Sequence, residues 1–122
     1  MNGFVIKTEP RYIEKESDPE NERYVFAYTI TIENHGDASA QLLNRRWRVS
    51  DGTGRIQEVN GPGVVGKQPH IAPGEAFRYT SAAIIETPVG SMAGHYEFQR
   101  VDGSLFEVPI PIFSLSVPNM VH

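Results

Sequence analysis

Large apolar side chains recur at every second position along much of this chain. The clearest run is Tyr24 to Ile32, where Tyr24, Phe26, Tyr28, Ile30 and Ile32 alternate with mostly small or hydroxylated residues. A period of two predicts a half-buried strand with those five side chains facing inward. The same pattern predicts a first strand over Gly3 to Lys15, interrupted near Pro10, and a third from Gln41 to Ser50. A short fourth covers Arg55 to Val59, a fifth Ala76 to Ile85, a sixth Gly94 to Val101 and a seventh Leu105 to Phe113. Turn residues occupy the joints: Asn34-His35-Gly36-Asp37, Asp51-Gly52-Thr53-Gly54, Pro73-Gly74, Pro88-Val89-Gly90 and Asp102-Gly103. No stretch carries the period of a long helix. Strands this short and this evenly spaced predict an antiparallel β-sandwich in two sheets.

Two details refine that architecture. Gly94-His95-Tyr96-Glu97-Phe98 has the shape of a tyrosine corner, with Phe98 where antibody domains carry their second cysteine. Pro109 and Pro111 share one parity, so both missing N–H groups point the same way, which suits only a strand at a sheet edge.

Gly61-Pro62-Gly63-Val64-Val65-Gly66-Lys67-Gln68 has the G-x-G-x-x-G spacing of dinucleotide sites and falls one residue short of a Walker A loop. Such loops hold phosphate because a glycine turn opens into a helix whose N-terminal amides face the anion. Here Pro69-His70-Ile71-Ala72-Pro73-Gly74 follows, and two prolines so close together prevent that helix. Gln68 also replaces the hydroxyl that would ligate magnesium. A backbone nest over Gly61, Gly63 and Gly66, with Lys67 as counter-charge and Arg45 alongside, is the remaining anion-binding reading, for phosphate or pyrophosphate. The plainer reading is a tight connection whose glycines supply positive φ while Val64 and Val65 plug the core.

Composition narrows the chemistry. The chain has 122 residues, enough for one domain over 1–122 that buries about two thirds of its unfolded surface. With 11 basic against 15 acidic residues the net charge is −4, which argues against broad nucleic-acid binding. Cysteine is absent, which removes disulfides, thiolate metal sites and cysteine nucleophiles. No secretory signal and no membrane-length apolar run is visible, so a cytoplasmic location is the expectation.

The run Gly61 to Gly66 through Gln68-Pro69, Ala72-Pro73-Gly74-Glu75 and Tyr79-Thr80-Ser81 resembles the ApaG family. So does Thr87-Pro88-Val89-Gly90-Ser91-Met92-Ala93-Gly94-His95-Tyr96, followed by Phe106-Glu107-Val108-Pro109-Ile110-Pro111. The likeness spans essentially the whole chain. It implies a fibronectin type III-like sandwich and, in bacteria, an association with cobalt resistance and magnesium efflux, beside a diadenosine tetraphosphatase. Similar domains in eukaryotic F-box proteins and in a polymerase-interacting protein look like protein-binding modules. Where the family often has glycine after Tyr-Thr-Ser, this chain has Ala82, which puts any required positive φ there in question.

Other constellations read more simply. Arg45-Arg46-Trp47-Arg48 could stack a base or clamp a phosphate, but parity puts Trp47 and Val49 inward and Arg46 and Arg48 outward. Arg45 falls on the Trp47 side, where it must reach solvent or neutralise a buried carboxylate. Glu14, Glu16, Asp18, Glu20 and Glu22 match no calcium loop and read as a solvated, mobile hairpin tip. His35, His70, His95 and His122 have no metal-ligand spacing, and His95 follows the outward parity of its strand. Ser81 and Ser91 lie in no nucleophile elbow.

The leading expectation is a non-enzymatic binding or adaptor domain without cofactor. It would use strand edges and the loops at 61–74 and 86–93 to engage a protein partner or a second copy of itself. The alternative is a binding protein for anions or nucleotide polyphosphates that uses the glycine loop, with or without a divalent ion.

Overall fold

The computed structural model describes residues 3–118. The strands are β1 (Phe4–Tyr12), β2 (Tyr24–Asn34), β3 (Ala40–Asp51), β4 (Ile56–Pro62), β5 (His70–Ile71), β6 (Ala76–Ile85), β7 (Val89–Arg100) and β8 (Leu105–Ser116). One sheet has the order β1-β2-β6 and the other β4-β3-β7-β8, with β5 on the edge of β3 and every pair antiparallel. This is the two-sheet sandwich expected from the pattern, with one short strand, β5, that the pattern does not announce.

The alternating residues of β2 carry the core. Phe26, Tyr28, Ile30 and Ile32 are buried in a single cluster with Leu42, Trp47, Tyr96, Phe98 and Leu115 of the opposite sheet, and Tyr24 packs against it. Trp47 sits at the centre, edge-on to Tyr28 at 5.4 Å, Tyr96 at 6.3 Å and Phe113 at 6.0 Å. Such edge-to-face contacts let bulky rings interdigitate between layers.

Several boundaries differ from the sequence expectation. β1 runs through Pro10 without a break, with Pro10 opposite Tyr28. The ladder fixed by the Ile13 N–H to Val25 carbonyl bond turns the even-numbered nitrogens of β1 away from β2. The missing N–H of Pro10 therefore falls on the free edge, where it breaks no bond. β7 begins at Val89, five residues before the expected Gly94, and β8 extends to Ser116. β8 lies at a sheet edge, as its prolines predict, and a bulge there sets Pro111 and Ile112 against the single residue Ala93.

The acidic connection after β1 is more ordered than a mobile tip. It folds into two 3-10 turns, Glu14–Glu16 and Pro19–Asn21. Ser17 ties them down, its Oγ donating to the Ile13 carbonyl at 2.7 Å and accepting from the Val25 N–H at 2.9 Å. The carboxylates themselves point to solvent. Tyr96 does not form a tyrosine corner: its hydroxyl pairs with that of Tyr79 in the other sheet rather than with upstream backbone.

Candidate functional site

The edge of β3 explains the glycine loop. β4 covers the half from Asn44 to Ser50, and β5 covers Ala40 and Gln41. Between them β3 bulges at Leu43, and the chain from Gly63 to Pro69 fills that gap. Gly63 N–H donates to the Leu43 carbonyl at 2.7 Å, Leu42 N–H to that of Pro69 at 3.0 Å, and Gln68 Nε2 to that of Leu43 at 3.0 Å. The loop is a patch over the one irregular stretch of β3.

Its tip is a two-residue hairpin turn. Val64 and Lys67 exchange both backbone hydrogen bonds, at 2.8 and 3.0 Å, around Val65 (φ 44°) and Gly66 (φ 80°). Two central residues at positive φ are the signature of a type I′ turn. Gly63 also has φ 61°, and a Cβ there would come within 2.3 Å of the Lys67 carbonyl oxygen. Val64 is fully buried and plugs the core as expected, but Val65 does not: it is 53% exposed.

The anion reading needs free amides, and most of them have partners. Those of Gly63, Val64 and Lys67 are bonded within the patch. The β3–β4 ladder alternates between the Asp51 N–H to Arg55 carbonyl bond and the Gly63 bond, which commits the Gly61 amide to Arg45. Val65 and Gly66 retain theirs. Lys67 is exposed and has no ion-pair partner among the described residues.

Arg45 does join the glycine loop, though by a route that parity alone did not supply. It is half-buried, and its Nη1 donates to the carbonyls of Pro62 at 2.9 Å and Gly63 at 3.0 Å. The guanidinium lies over its ladder partner Gly61, where a Cβ would stand 3.0 Å from both Nη1 and Nη2. Of the two expected solutions for Arg45, no carboxylate among the described residues neutralises it; the side chain stays partly in contact with solvent while it caps the loop carbonyls.

Arg45 also lines a cleft of about 330 Å³ that enters the sandwich between β4 and β6. Trp47, Val49, Val59, Ile84 and Met92 form its apolar walls, and Tyr28 and Ser81 contribute hydroxyls. Burial pushes the Tyr28 phenol up, opposed by its bond to Ser81 and by the charge of Arg45. Tyr28 was legible as an inward residue of β2. Its convergence with Arg45 and Ser81 was not, because three different strands supply them.

On the outer face of the second sheet Arg46 and Arg48 are exposed, as parity predicts, beside Gly94 and His95. His95 pairs with Glu107 at 2.6 Å and His35 with Glu33 at 2.8 Å. His70 lies exposed on β5, and His122 falls outside the described residues. No cluster of three or more metal-ligating side chains forms among the described residues, and no described helix is long and apolar enough to cross a membrane. Ser81 and Ser91 are both strand residues. Ala82 lies within β6 opposite Ala27 and is not among the positive-φ residues, so glycine is not required there.

The free edges complete the description. β1 and β8 close one side of the sandwich against each other. On the other side β4 and β6 have no strand beyond them. The Asn34 N–H to Glu75 carbonyl bond sets the β2–β6 ladder so that Ala76, Arg78, Thr80, Ala82 and Ile84 turn their backbone groups outward. β6 has ten residues and no proline.

A family model described as the ApaG domain matches residues 14–100. The chain is 56% identical over 117 residues to the ApaG proteins of Enterobacter sp. strain 638 and of Escherichia coli K12, covering 96% of this chain and 94% of each of those proteins. Among solved structures it is similar to an ApaA protein from Bordetella pertussis, with 47% identity, a TM-score of 0.93 and coverage of 96% of this chain and 95% of that one. A second X-ray structure, a structural-genomics target, is 41% identical with a TM-score of 0.93, covering 99% of this chain and 92% of that one.

Proposed function

Because this chain belongs to the ApaG domain family, we propose that it works as a non-enzymatic binding module that captures a partner protein by strand addition to β6. The free edge of β6 is the observation that carries this reading. Its outward N–H and C=O groups at Ala76, Arg78, Thr80, Ala82 and Ile84 have no strand beyond them. A partner strand would satisfy them, and pairing backbone to backbone is a common mode of peptide capture. The opposite side of the sandwich is unsuited, since Pro10 on β1 and Pro109 on β8 interrupt those edges. Any influence on cobalt or magnesium handling, which the family likeness implies, would be exerted through such a partner.

The test places a photocrosslinking residue at position 78 on β6 or at position 112 on β8 and compares each with the Ala82→Pro variant. Ala82 directs its N–H outward and its side chain is exposed, so proline removes an edge donor without breaking the ladder. The expected result is a specific adduct from position 78 that Ala82→Pro abolishes while the thermal transition stays near wild type. The same adduct from position 112, or its survival in Ala82→Pro, would overturn the reading. An adduct with a second copy of the chain would mark β6–β6 pairing about a two-fold axis.

The polyphosphate alternative now depends on Lys67 with the Val65 and Gly66 amides, since the neighbouring amides are bonded within the protein. Titration with pyrophosphate tests it directly: shifts at Val65, Gly66 and Lys67 support it, and unmoved signals at millimolar anion reject it.

A further inference from the structure

Arg45 is a half-buried cation with no carboxylate in reach among the described residues. Two of its five N–H groups, those on Nη1, go to the carbonyls of Pro62 and Gly63, which leaves three on Nη2 and Nε. The cleft it lines also holds the hydroxyls of Tyr28 and Ser81, which bond to each other and leave one O–H to donate, and no carboxylate. Gln57 adds a side-chain amide, and the remaining walls are apolar, with the buried indole of Trp47 among them. A partly shielded cation with unfilled donors, beside neutral polar groups and apolar side chains, is the electrostatic complement of an anion that carries a hydrophobic body.

We infer that the cleft between β4 and β6 binds a small carboxylate with an apolar tail, its carboxylate on the Arg45 guanidinium and its tail against Trp47 and Met92. A guanidinium fork matches a carboxylate in shape and charge, which favours this class over a neutral ligand. Polyphosphates are disfavoured by the walls, which cannot solvate several charges at once. The volume, about 330 Å³, lies at the small end of the usual ligand range of roughly 300–1,000 Å³, which suits one ring or a short chain. The cleft shares Ala82 and Ile84 with the free edge of β6, but binding there needs no backbone pairing, so it stands or falls independently of strand capture.

Trp47 is the single tryptophan of the chain and lines this cleft, so its fluorescence reads out binding there, with the Arg45 and Val59 variants assigning the signal to this cleft. The probes are 3-phenylpropionate and its neutral amide, 3-phenylpropionamide. The expected result is a saturable change of Trp47 emission with the acid at or below millimolar concentration, and about tenfold weaker binding of the amide. Arg45→Gln should bring the acid down to the affinity of the amide. That variant also loses the bonds to Pro62 and Gly63, so Val59→Phe serves as a second one. It narrows the cleft while leaving the Arg45 side chain and its carbonyl partners in the sequence, and should abolish the response to both probes. The inference is overturned by equal affinity for acid and amide, by an absent response in the wild type, or by unchanged binding in Val59→Phe.

Discussion

The phenolic oxygens of Tyr79 on β6 and Tyr96 on β7 lie 2.5 Å apart and join the two sheets through a buried hydrogen bond. Tyr96 is fully buried and Tyr79 nearly so, and no buried side-chain polar atom among the described residues lacks a partner. Each hydroxyl therefore depends on the other or on a close neighbour. Removing one leaves the other in an apolar layer, and an orphaned buried donor costs about 1–3 kcal/mol. Tyr96→Phe and Tyr79→Phe should each destabilise by that order. The double variant should cost less than the sum of the two, because no orphan remains. Denaturant unfolding of all four proteins measures the coupling, and strict additivity would show that the pair does not act as a unit.

The same pair sets an alkaline limit. Burial is the largest cause raising both phenols, with the neighbouring tyrosine adding to the effect on Tyr96. A raised value in the folded state means that folding favours the protonated phenol. The contribution is intact below the ordinary phenol value near pH 10 and is lost as pH rises beyond it toward the folded values. Wild-type stability should fall above about pH 10, and the double phenylalanine variant should fall less steeply. Parallel declines would contradict this.

Val65 is the residue most at odds with its backbone. A β-branched side chain at φ 44° is strained, and the type I′ turn it occupies favours asparagine or glycine. Val65 is exposed, so little packing offsets the strain. Val65→Asn should stabilise the protein by about 1 kcal/mol. Gly63→Ala should do the opposite and more severely, since its Cβ meets the fixed carbonyl of Lys67 at 2.3 Å. Thermal denaturation of the two variants reads both signs. A destabilised Val65→Asn would mean that the valine makes a contact that outweighs the strain.

The strands were legible where one face is buried and the other wet. β2 and β6 follow from alternation alone because each inward side chain has an apolar neighbour across the sandwich. β4 was clipped at Val59 because its continuation, Asn60-Gly61-Pro62, reads as turn while the ladder still pairs it with Arg46, Arg45 and Asn44. β5 was missed because two residues flanked by prolines carry no period. The glycine loop was legible as a fold element from the missing helix, but its purpose was not. It patches a bulge at Leu43 that lies some twenty residues earlier in the chain. The position of Arg45 beside Tyr28 likewise depends on register between strands distant in sequence, and no local pattern encodes it.

Two hairpin tips are built on one device. Asp51 Oδ1 accepts from the Thr53 hydroxyl at 2.7 Å, the Thr53 N–H at 2.9 Å and the Arg55 N–H at 3.1 Å. Asp102 Oδ1 accepts from the Ser104 hydroxyl at 2.6 Å and its N–H at 2.9 Å. Both carboxyls are held below the ordinary aspartate value, the Thr53 and Ser104 hydroxyls being the largest cause in each case. A lowered folded value gives a contribution that is full above the unfolded aspartate value and lost as pH falls through the folded one. Asp51→Asn, which keeps the acceptor oxygen and removes the charge, should therefore lower the melting temperature at neutral pH. That gap should close as the pH drops below the aspartate range, and Asp102→Asn should behave alike. Melting curves of wild type and both variants across an acid series would decide it. A gap that persists at pH values where wild-type Asp51 is protonated would show that the charge was never the stabilising element.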